Sequence, residues 1–135
     1  MILADTSAWV EYDRATGSPV DRRLLELIST RDEIAVTEPV MMEVLAGARD
    51  EARASDLRRL LMRFHLLRFD SVIDFEGAAH LYRRCRASGV TPRGVIDCMI
   101  AMVAWRTGAA MLAHDDDMSR IASIVGIELD PASTS

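Results

Sequence analysis

Short apolar runs alternate along this chain with segments of helical periodicity, and this alternation is the strongest constraint on its fold. Strands that alternate with helices favour βαβ units and a mostly parallel sheet. The predicted strands are residues 2–4, 34–36, 66–69, 111–113 and 127–129. Binding sites in such sheets form outside the carboxyl ends of the strands. Side chains that follow a strand directly are therefore the first candidates for function.

Helical periodicity predicts the elements between the strands. Predicted helices cover residues 20–29, 54–64, 75–87 and 92–105, with another that starts at 37 or 38. The helix at 75–87 is expected to bury Phe75, Ala79 and Tyr82. Thr91 and Pro92 are typical of an N-cap followed by proline at the first helical position, and they predict the start of the helix at 92–105.

The length and composition indicate a single globular domain. The chain has 135 residues, of which 50% are hydrophobic and 27% charged. We expect a domain at 1–131 and a disordered tail at 132–135. No apolar run approaches the length of a membrane span and the N-terminus has no basic region, so we expect a cytoplasmic protein. Cys85 and Cys98 are unclustered, which predicts reduced thiols and no zinc site.

The net charge of −5 argues against a nucleic-acid partner, but two details weaken that argument. All sixteen basic residues are arginine, the residue suited to bidentate phosphate contacts. Bound cations would also reverse the local charge of any acidic metal site. Arg83, Arg84 and Arg86 form either a basic edge for an RNA backbone or a solvated helix face.

Four carboxylates lie where an apolar segment ends or is interrupted. Asp5 and Asp115 each follow a predicted strand, whereas Glu43 and Asp97 interrupt apolar helical stretches. Isolated carboxylates in such places are costly unless they are neutralised. If they converge, a divalent cation held by oxygen ligands neutralises all of them. The sequence therefore predicts one acidic metal site.

Each acid also has a structural interpretation. Glu43 could be an exposed residue at the edge of an apolar stripe, and Asp97 could form a buried ion pair with Arg93. The acidic run 115–117 could open a helix with Asp117 as its N-cap. Thr6 and Ser7 could cap the helix after Asp5, orient Asp5 or hold a metal-bound water. These alternatives stay open at the level of the sequence.

The ordered set of acidic motifs resembles the PIN-domain ribonucleases, and among them the VapC-type toxins of bacterial toxin–antitoxin pairs. The motifs are Asp5-Thr6-Ser7, Glu43-Val44-Leu45-Ala46-Gly47, Asp97-x-x-Ile100-Ala101 and Asp115-x-Asp117. The resemblance spans essentially the whole chain. It implies a three-layer α/β/α, Rossmann-like fold and hydrolysis of RNA with Mg²⁺ or Mn²⁺.

The resemblance also implies roles for single residues. Asp5, Glu43, Asp97 and Asp115 would be catalytic, and the same four with Asp117 would bind the metal. Thr6, Ser7 and Arg93 are the candidates for substrate binding, Arg93 as a phosphate contact. Relatives often have phenylalanine after the last aspartate, where this chain has Met118.

The expected partners are an RNA substrate (tRNA or rRNA), a VapB-type antitoxin and a second copy of the chain, with no membrane. Three other functions are alternatives to that of a VapC-type toxin. The first is a PIN nuclease for RNA maturation or DNA flaps, and the second is a catalytically silent PIN module. The third is a phosphate-accepting receiver domain, which needs a lysine that this chain lacks.

Overall fold

The computed structural model describes residues 1–30 and 33–133, and a parallel sheet forms its centre. The strands are β1 (Ile2–Ala4), β2 (Ile34–Val36), β3 (His65–Leu66) and β4 (Ala110–Leu112). Within the described residues they form one sheet in the order β3-β2-β1-β4. All three strand pairings are parallel, with Ile2 opposite both Ile34 and Ala110. The predicted parallel sheet is confirmed, with β1 and β2 at its centre.

Helices cover the sheet in two groups. Helices α1 to α4 contact one another along the chain, and α5 to α7 form the second group. This arrangement agrees with the expected three-layer α/β/α fold. The helices are α1 (Thr6–Asp13), α2 (Pro19–Thr30), α3 (Glu38–Ala46), α4 (Glu51–Leu61), α5 (Ile73–Ala87), α6 (Val95–Thr107) and α7 (Asp116–Val125).

Helix α6 places six buried residues in the core. Cys98, Ile100 and Val103 are fully buried along it. It ends at Gly108, whose φ of +72° is the left-handed conformation that glycine adopts without strain. Its predicted start at Thr91-Pro92 is wrong. The N-cap is Gly94, which is extended, so the helix begins at Val95 and the preceding residues form a loop.

The predicted buried face of α5 is also wrong. Phe75 and Ala79 are exposed and Tyr82 is half-buried, whereas the face that packs inward carries Asp74, Ala78, Leu81 and Cys85. The reason is an ion pair that hydrophobic periodicity does not detect. Arg106 donates to both carboxylate oxygens of Asp74 at 2.8 Å, and Asp74 is fully buried. This pair joins the start of α5 to the end of α6. Next to it, Gly77 admits the Met102 side chain, since a Cβ there would lie 2.6 Å from it.

Smaller corrections concern the ends of the chain. The predicted strand at 127–129 is only an isolated bridge between Met111 and Leu129. The last helix is capped by Asp115 and not by Asp117. The predicted tail at 132–135 remains a prediction. In it the Ser133 hydroxyl donates to the Met111 carbonyl at 3.2 Å, and 134–135 lie outside the described residues.

Two expectations concern the cysteines and membranes. Cys85 and Cys98 are both free cysteines, as predicted, and both are also buried. Burial raises the pKa of the Cys98 thiol to about 12, so it is a packing residue and not a nucleophile. None of the described helices is long and apolar enough to cross a membrane.

The Asp74–Arg106 pair predicts a large loss of stability for Arg106→Ala. The substitution leaves a buried carboxylate without its guanidinium, so we expect the free energy of unfolding to fall by about 3 kcal/mol. Arg59→Ala is the matched control, because its partner Asp56 is exposed and such pairs contribute less than about 1 kcal/mol. Urea denaturation of both variants measures the difference. If both variants lost the same free energy of unfolding, the buried pair would contribute no more to stability than the exposed pair.

Candidate active site

A cleft of about 720 Å³ opens at the carboxyl ends of β1 and β4. All four acids singled out from the sequence line it, although they lie far apart along the chain. Thr6, Ser7 and Arg93 line it as well. The structure therefore brings together the predicted site residues, apart from Asp117. The lining residues are Asp5, Thr6, Ser7, Val10, Glu11, Glu43, Arg93, Gly94, Val95, Ile96, Asp97, His114 and Asp115.

Asp5 lies at the junction of the sheet and α1. Its backbone N–H donates to the Leu112 carbonyl at 2.9 Å, which fixes it between β1 and β4. Its Oδ2 accepts from the Ser7 hydroxyl at 2.6 Å and from the Ser7 N–H, so Asp5 is the N-cap of α1. Its Oδ1 is buried and accepts no hydrogen bond from any described residue. A buried carboxylate oxygen without a donor indicates a site for a cation.

Glu43 is held by the neighbouring helix. The Thr6 hydroxyl donates to its Oε1 at 2.7 Å, across 37 positions of sequence. The interpretation of Glu43 as an exposed residue at the edge of a stripe is therefore wrong, since the side chain is half-buried and faces the cleft. Gly47 is the C-cap residue that ends α3. Thr6 and Ser7 thus orient the carboxylates, as one of their sequence interpretations proposed.

Asp115 and Asp117 share one arginine. Asp115 follows β4 and caps α7 by accepting from the Met118 N–H at 3.2 Å. The Arg93 guanidinium donates to Asp115 Oδ1 and, at 2.9 Å, to Asp117 Oδ2. Arg120 donates to the other Asp117 oxygen at 3.3 Å. The predicted pairing of Arg93 with Asp97 is wrong, because Arg93 neutralises the two acids of α7 instead.

Asp117 differs from the other acids. It is buried but does not line the cleft. A hydrogen bond from the Arg93 backbone N–H, with the Arg93 guanidinium beside it, lowers the pKa of its carboxyl. In this arrangement Asp117 holds Arg93 in place. Its predicted role as an auxiliary metal ligand stays a prediction.

The remaining acids repel one another. Asp97 lies in the first turn of α6, where burial, together with the charges of Asp5, Asp115 and Glu43, raises the pKa of its carboxyl to about 7. Burial likewise raises the pKa of Asp5 to about 6, against the two hydrogen bonds from Ser7. Carboxylates with raised pKa values in one cleft are typical of a functional site.

The residues of the cleft fit a hard divalent cation. Carboxylates from four elements meet there, and oxygen ligands of this kind suit Mg²⁺ or Mn²⁺. The buried Asp5 Oδ1 is the specific feature that such a cation would satisfy. As the side chains stand, no group of three or more His, Cys, Asp or Glu residues in the described part of the chain is arranged to hold a metal. Asp5, Glu43 and Asp115 each turn toward a hydrogen-bond donor instead.

Several lining residues were not singled out from the sequence. Glu11 lies one helical turn after Ser7 on α1, so i, i+4 spacing would have found it. The His114 Nε2 lies 3.6 Å from Glu11 Oε1, and its backbone N–H donates to the Ser7 hydroxyl at 2.9 Å. Val95 and Ile96 add an apolar part to the lining.

The basic run on α5 does not belong to this cleft. Arg83 and Arg84 line a separate pocket of about 510 Å³ between α5 and α6, together with Trp105. Arg86 lies 5.9 Å from the Tyr82 ring. The structure therefore favours the interpretation of this basic run as a solvated helix face. It does not form a basic edge of the acidic cleft.

Comparison with known proteins gives one consistent result. The PIN-domain family matches residues 2–124. Ribonuclease VapC11 of Mycobacterium tuberculosis is 46% identical over 131 residues, which are 95% of this chain and 96% of that protein. VapBC2 from Rickettsia felis, solved with a DNA fragment of its promoter, has a TM-score of 0.75 at 21% identity over 96% of this chain and 98% of its own. Mycobacterium tuberculosis VapC20, a toxin that cleaves the sarcin–ricin loop, has a TM-score of 0.67 at 17% identity over 88% and 93%.

The raised pKa of Asp97 predicts how stability depends on pH without metal. The folded state binds a proton more tightly than the unfolded state, so stability falls as the pH rises from about 4 to about 7. Asp97→Asn removes the titrating carboxyl, and with it the fall in stability that accompanies rising pH. In EDTA at pH 8 we expect the variant to be more stable than the wild type by about 1 kcal/mol, after allowance for solvent screening.

At pH 4 the two proteins should unfold at the same urea concentration, because Asp97 is then protonated in the folded state. The control is Asp56→Asn on the exposed surface of α4, which should show no such pH-dependent gain. An Asp97→Asn variant that is less stable than the wild type at pH 8 would contradict the raised pKa of Asp97.

Proposed function

Because this chain belongs to the PIN-domain family and, within it, to the VapC ribonucleases, we propose that it is a divalent-metal-dependent endoribonuclease. In the cell it would act as the toxin of a toxin–antitoxin pair. Mg²⁺ is the proposed cofactor, and Mn²⁺ would serve as well. The observation that carries the proposal is the buried, undonated Asp5 Oδ1 in a cleft shared with Glu43, Asp97 and Asp115.

The proposed ligands of the cation are Asp5, Glu43, Asp97 and Asp115, with Asp117 in an auxiliary position. When bound, the cation supplies Lewis-acid stabilisation of the negative charge on the cleaved phosphate and activates water. The protein contributes the fixed orientation of the carboxylates. Ser7 holds Asp5, and Thr6 holds Glu43, so both acids are positioned before substrate arrives.

Arg93 is the proposed contact to the substrate phosphate. Its side chain is 73% exposed and lines the cleft. Its Nε and Nη2 donate to the two acids of α7, and a guanidinium has further N–H donors for a phosphate. An acidic cleft repels RNA, so a cation at this position both attracts and orients the phosphate. Thr6 and Ser7 would reach substrate only through the carboxylates that they orient.

The proposed substrates are tRNA or rRNA, and the proposed inhibitor is a VapB-type antitoxin in the cytoplasm. The ribonuclease name of the 46% identical relative supports RNA as the substrate class. The VapC20 neighbour, which cleaves the sarcin–ricin loop, gives rRNA as a precedent within the fold. The VapBC2 neighbour gives the precedent for an antitoxin that binds the toxin.

The chain also presents a face suited to a second copy. Trp105 and Ala79 are exposed beside the pocket between α5 and α6. On the same face of α5, Glu76 lies toward the N-terminus and Arg83 toward the C-terminus. Two copies of α5 that pair antiparallel around Ala79 would therefore set Glu76 of each against Arg83 of the other. This self-complementary charge pattern favours a two-fold dimer through α5.

RNA cleavage assays test the proposed metal dependence and the proposed role of the acidic residues. Purified protein should cleave total RNA with Mg²⁺ or Mn²⁺, and EDTA or Asp97→Asn should reduce the rate at least about 100-fold, because the cation and its ligands stabilise the transition-state charge. Asp116→Asn is the matched control, since Asp116 is exposed and outside the cleft. Cleavage at an unchanged rate by Asp97→Asn would contradict the proposed site.

Growth experiments with the same variants separate a toxin from the alternatives. Induced wild-type protein should arrest growth, Asp97→Asn should not, and the product of the adjacent small gene should relieve the arrest. Cleavage without arrest would favour a maturation nuclease. Arrest by the Asp97→Asn variant would favour a silent binding module.

The dimer is tested by Ala79→Arg. Because Ala79 is exposed, the substitution should leave the fold intact while its bulk and charge separate the two copies of α5. Light scattering after size exclusion should change from the dimer mass to the monomer mass. Ala52→Arg on exposed α4 is the control and should stay dimeric. A monomeric wild type, or a dimeric Ala79→Arg variant, would contradict this interface.

A further inference from the structure

Part of the lining of the cleft is apolar. Val10, Val95 and Ile96 line the same cavity as the acids, and we call these three side chains the apolar wall. Val95 is 58% exposed, although Cys98 and Ile100 on the same helix are fully buried. Metal binding and phosphate hydrolysis use none of these side chains. Apolar surface left in contact with water beside a polar site is typical of a ligand-binding groove.

The chemistry of RNA limits what this wall can bind. Phosphate and ribose are polar, and only the nucleobase has an apolar face. Arg93 and His114 line the same cleft, and guanidinium and imidazole groups are the planar side chains on which unstacked bases stack. A base is also uncharged, so it tolerates the neighbouring carboxylates better than a second phosphate would.

His114 is linked through its backbone to the proposed catalytic acid Asp5. Its Nε2 lies 3.6 Å from Glu11 Oε1. Its backbone N–H donates to the Ser7 hydroxyl, and that hydroxyl donates to Asp5. A base held against this wall would therefore have a fixed position relative to Asp5, and so would the phosphate attached to it.

We propose that Val10, Val95 and Ile96 form a subsite for one unstacked nucleobase next to the cleaved phosphate, with Arg93 and His114 at its sides. The inference rests on the ribonuclease function proposed above and adds a base contact made by these three side chains. A base in a duplex has both faces covered by its neighbours and cannot reach the wall. The nucleotide bound here must therefore be unstacked when it meets these side chains.

Val95→Ala tests the subsite against Val72→Ala. Both valines are exposed at the start of a helix, and Val72 lies outside the cleft. On a stem–loop RNA whose cleaved bond has been mapped, Val95→Ala should raise KM about tenfold with little change in kcat. Val72→Ala should match the wild type. An abasic nucleotide beside the cleaved bond should raise KM similarly, and Val95→Ala should add nothing further on that RNA.

A binding measurement gives a readout without cleavage. In the Asp97→Asn background, the stem–loop with 2-aminopurine beside the cleaved bond should become more fluorescent when bound, because its base leaves the stack. Adding Val95→Ala should weaken this binding about tenfold, and adding Val72→Ala should not. Circular dichroism of each variant confirms that it is folded.

The outcomes separate the two proposals. RNA cleavage by the wild type with equal KM values for Val95→Ala and Val72→Ala overturns the subsite and leaves the ribonuclease function standing. Equal cleavage of a loop and of the same sequence in a duplex also overturns the subsite. If Val95→Ala weakens binding of the antitoxin alone, the wall is a protein contact and the subsite is overturned. A wild type that neither binds nor cleaves RNA overturns both.

Discussion

The rest of the site depends on the repulsion between carboxylates at the end of a parallel sheet. Asp5 and Asp115 follow neighbouring strands, and Glu43 and Asp97 face them from α3 and α6. The chain accommodates these charges with local donors: Ser7 for Asp5, Thr6 for Glu43 and Arg93 for Asp115. Burial, together with the repulsion that these donors leave uncompensated, raises the pKa values of Asp5 and Asp97. A bound divalent cation would neutralise the negative charge that remains in the cleft.

The distribution of charge explains why the net charge of −5 is a poor guide to whether the chain binds RNA. Acids are concentrated in the cleft, whereas arginines such as Arg83 and Arg84 lie on exposed surface elsewhere. RNA approaching the cleft meets repulsion, and among the described lining residues only Arg93 carries a permanent positive charge. A bound cation would reduce this repulsion, so the metal would contribute to recognition as well as to chemistry.

Much of the site could be predicted from the sequence, because its geometry follows from strand ends and helical spacing. Asp5 and Asp115 were found in this way, and the apolar stretch around Asp97 correctly predicted a central helix. The incorrect predictions have a different cause. The buried face of α5 was assigned from Phe75 and Ala79, but the ion pair between Asp74 and Arg106 sets the rotation of that helix. The partner of Arg93 lies 22 to 24 residues away on α7, and no local pattern indicates it.

Two of the proposed catalytic acids are also N-caps: Asp5 begins α1, and Asp115 begins α7. A capping side chain contributes about 1 kcal/mol to stability. In a population of cells, mutations at these two positions would therefore lower the amount of protein together with its activity, and the two effects would be inseparable in a growth phenotype. Asp97 is not a cap, so an inactive allele at that position would accumulate as folded protein. Such an allele could still bind the antitoxin and thereby release active toxin made from an intact copy of the gene.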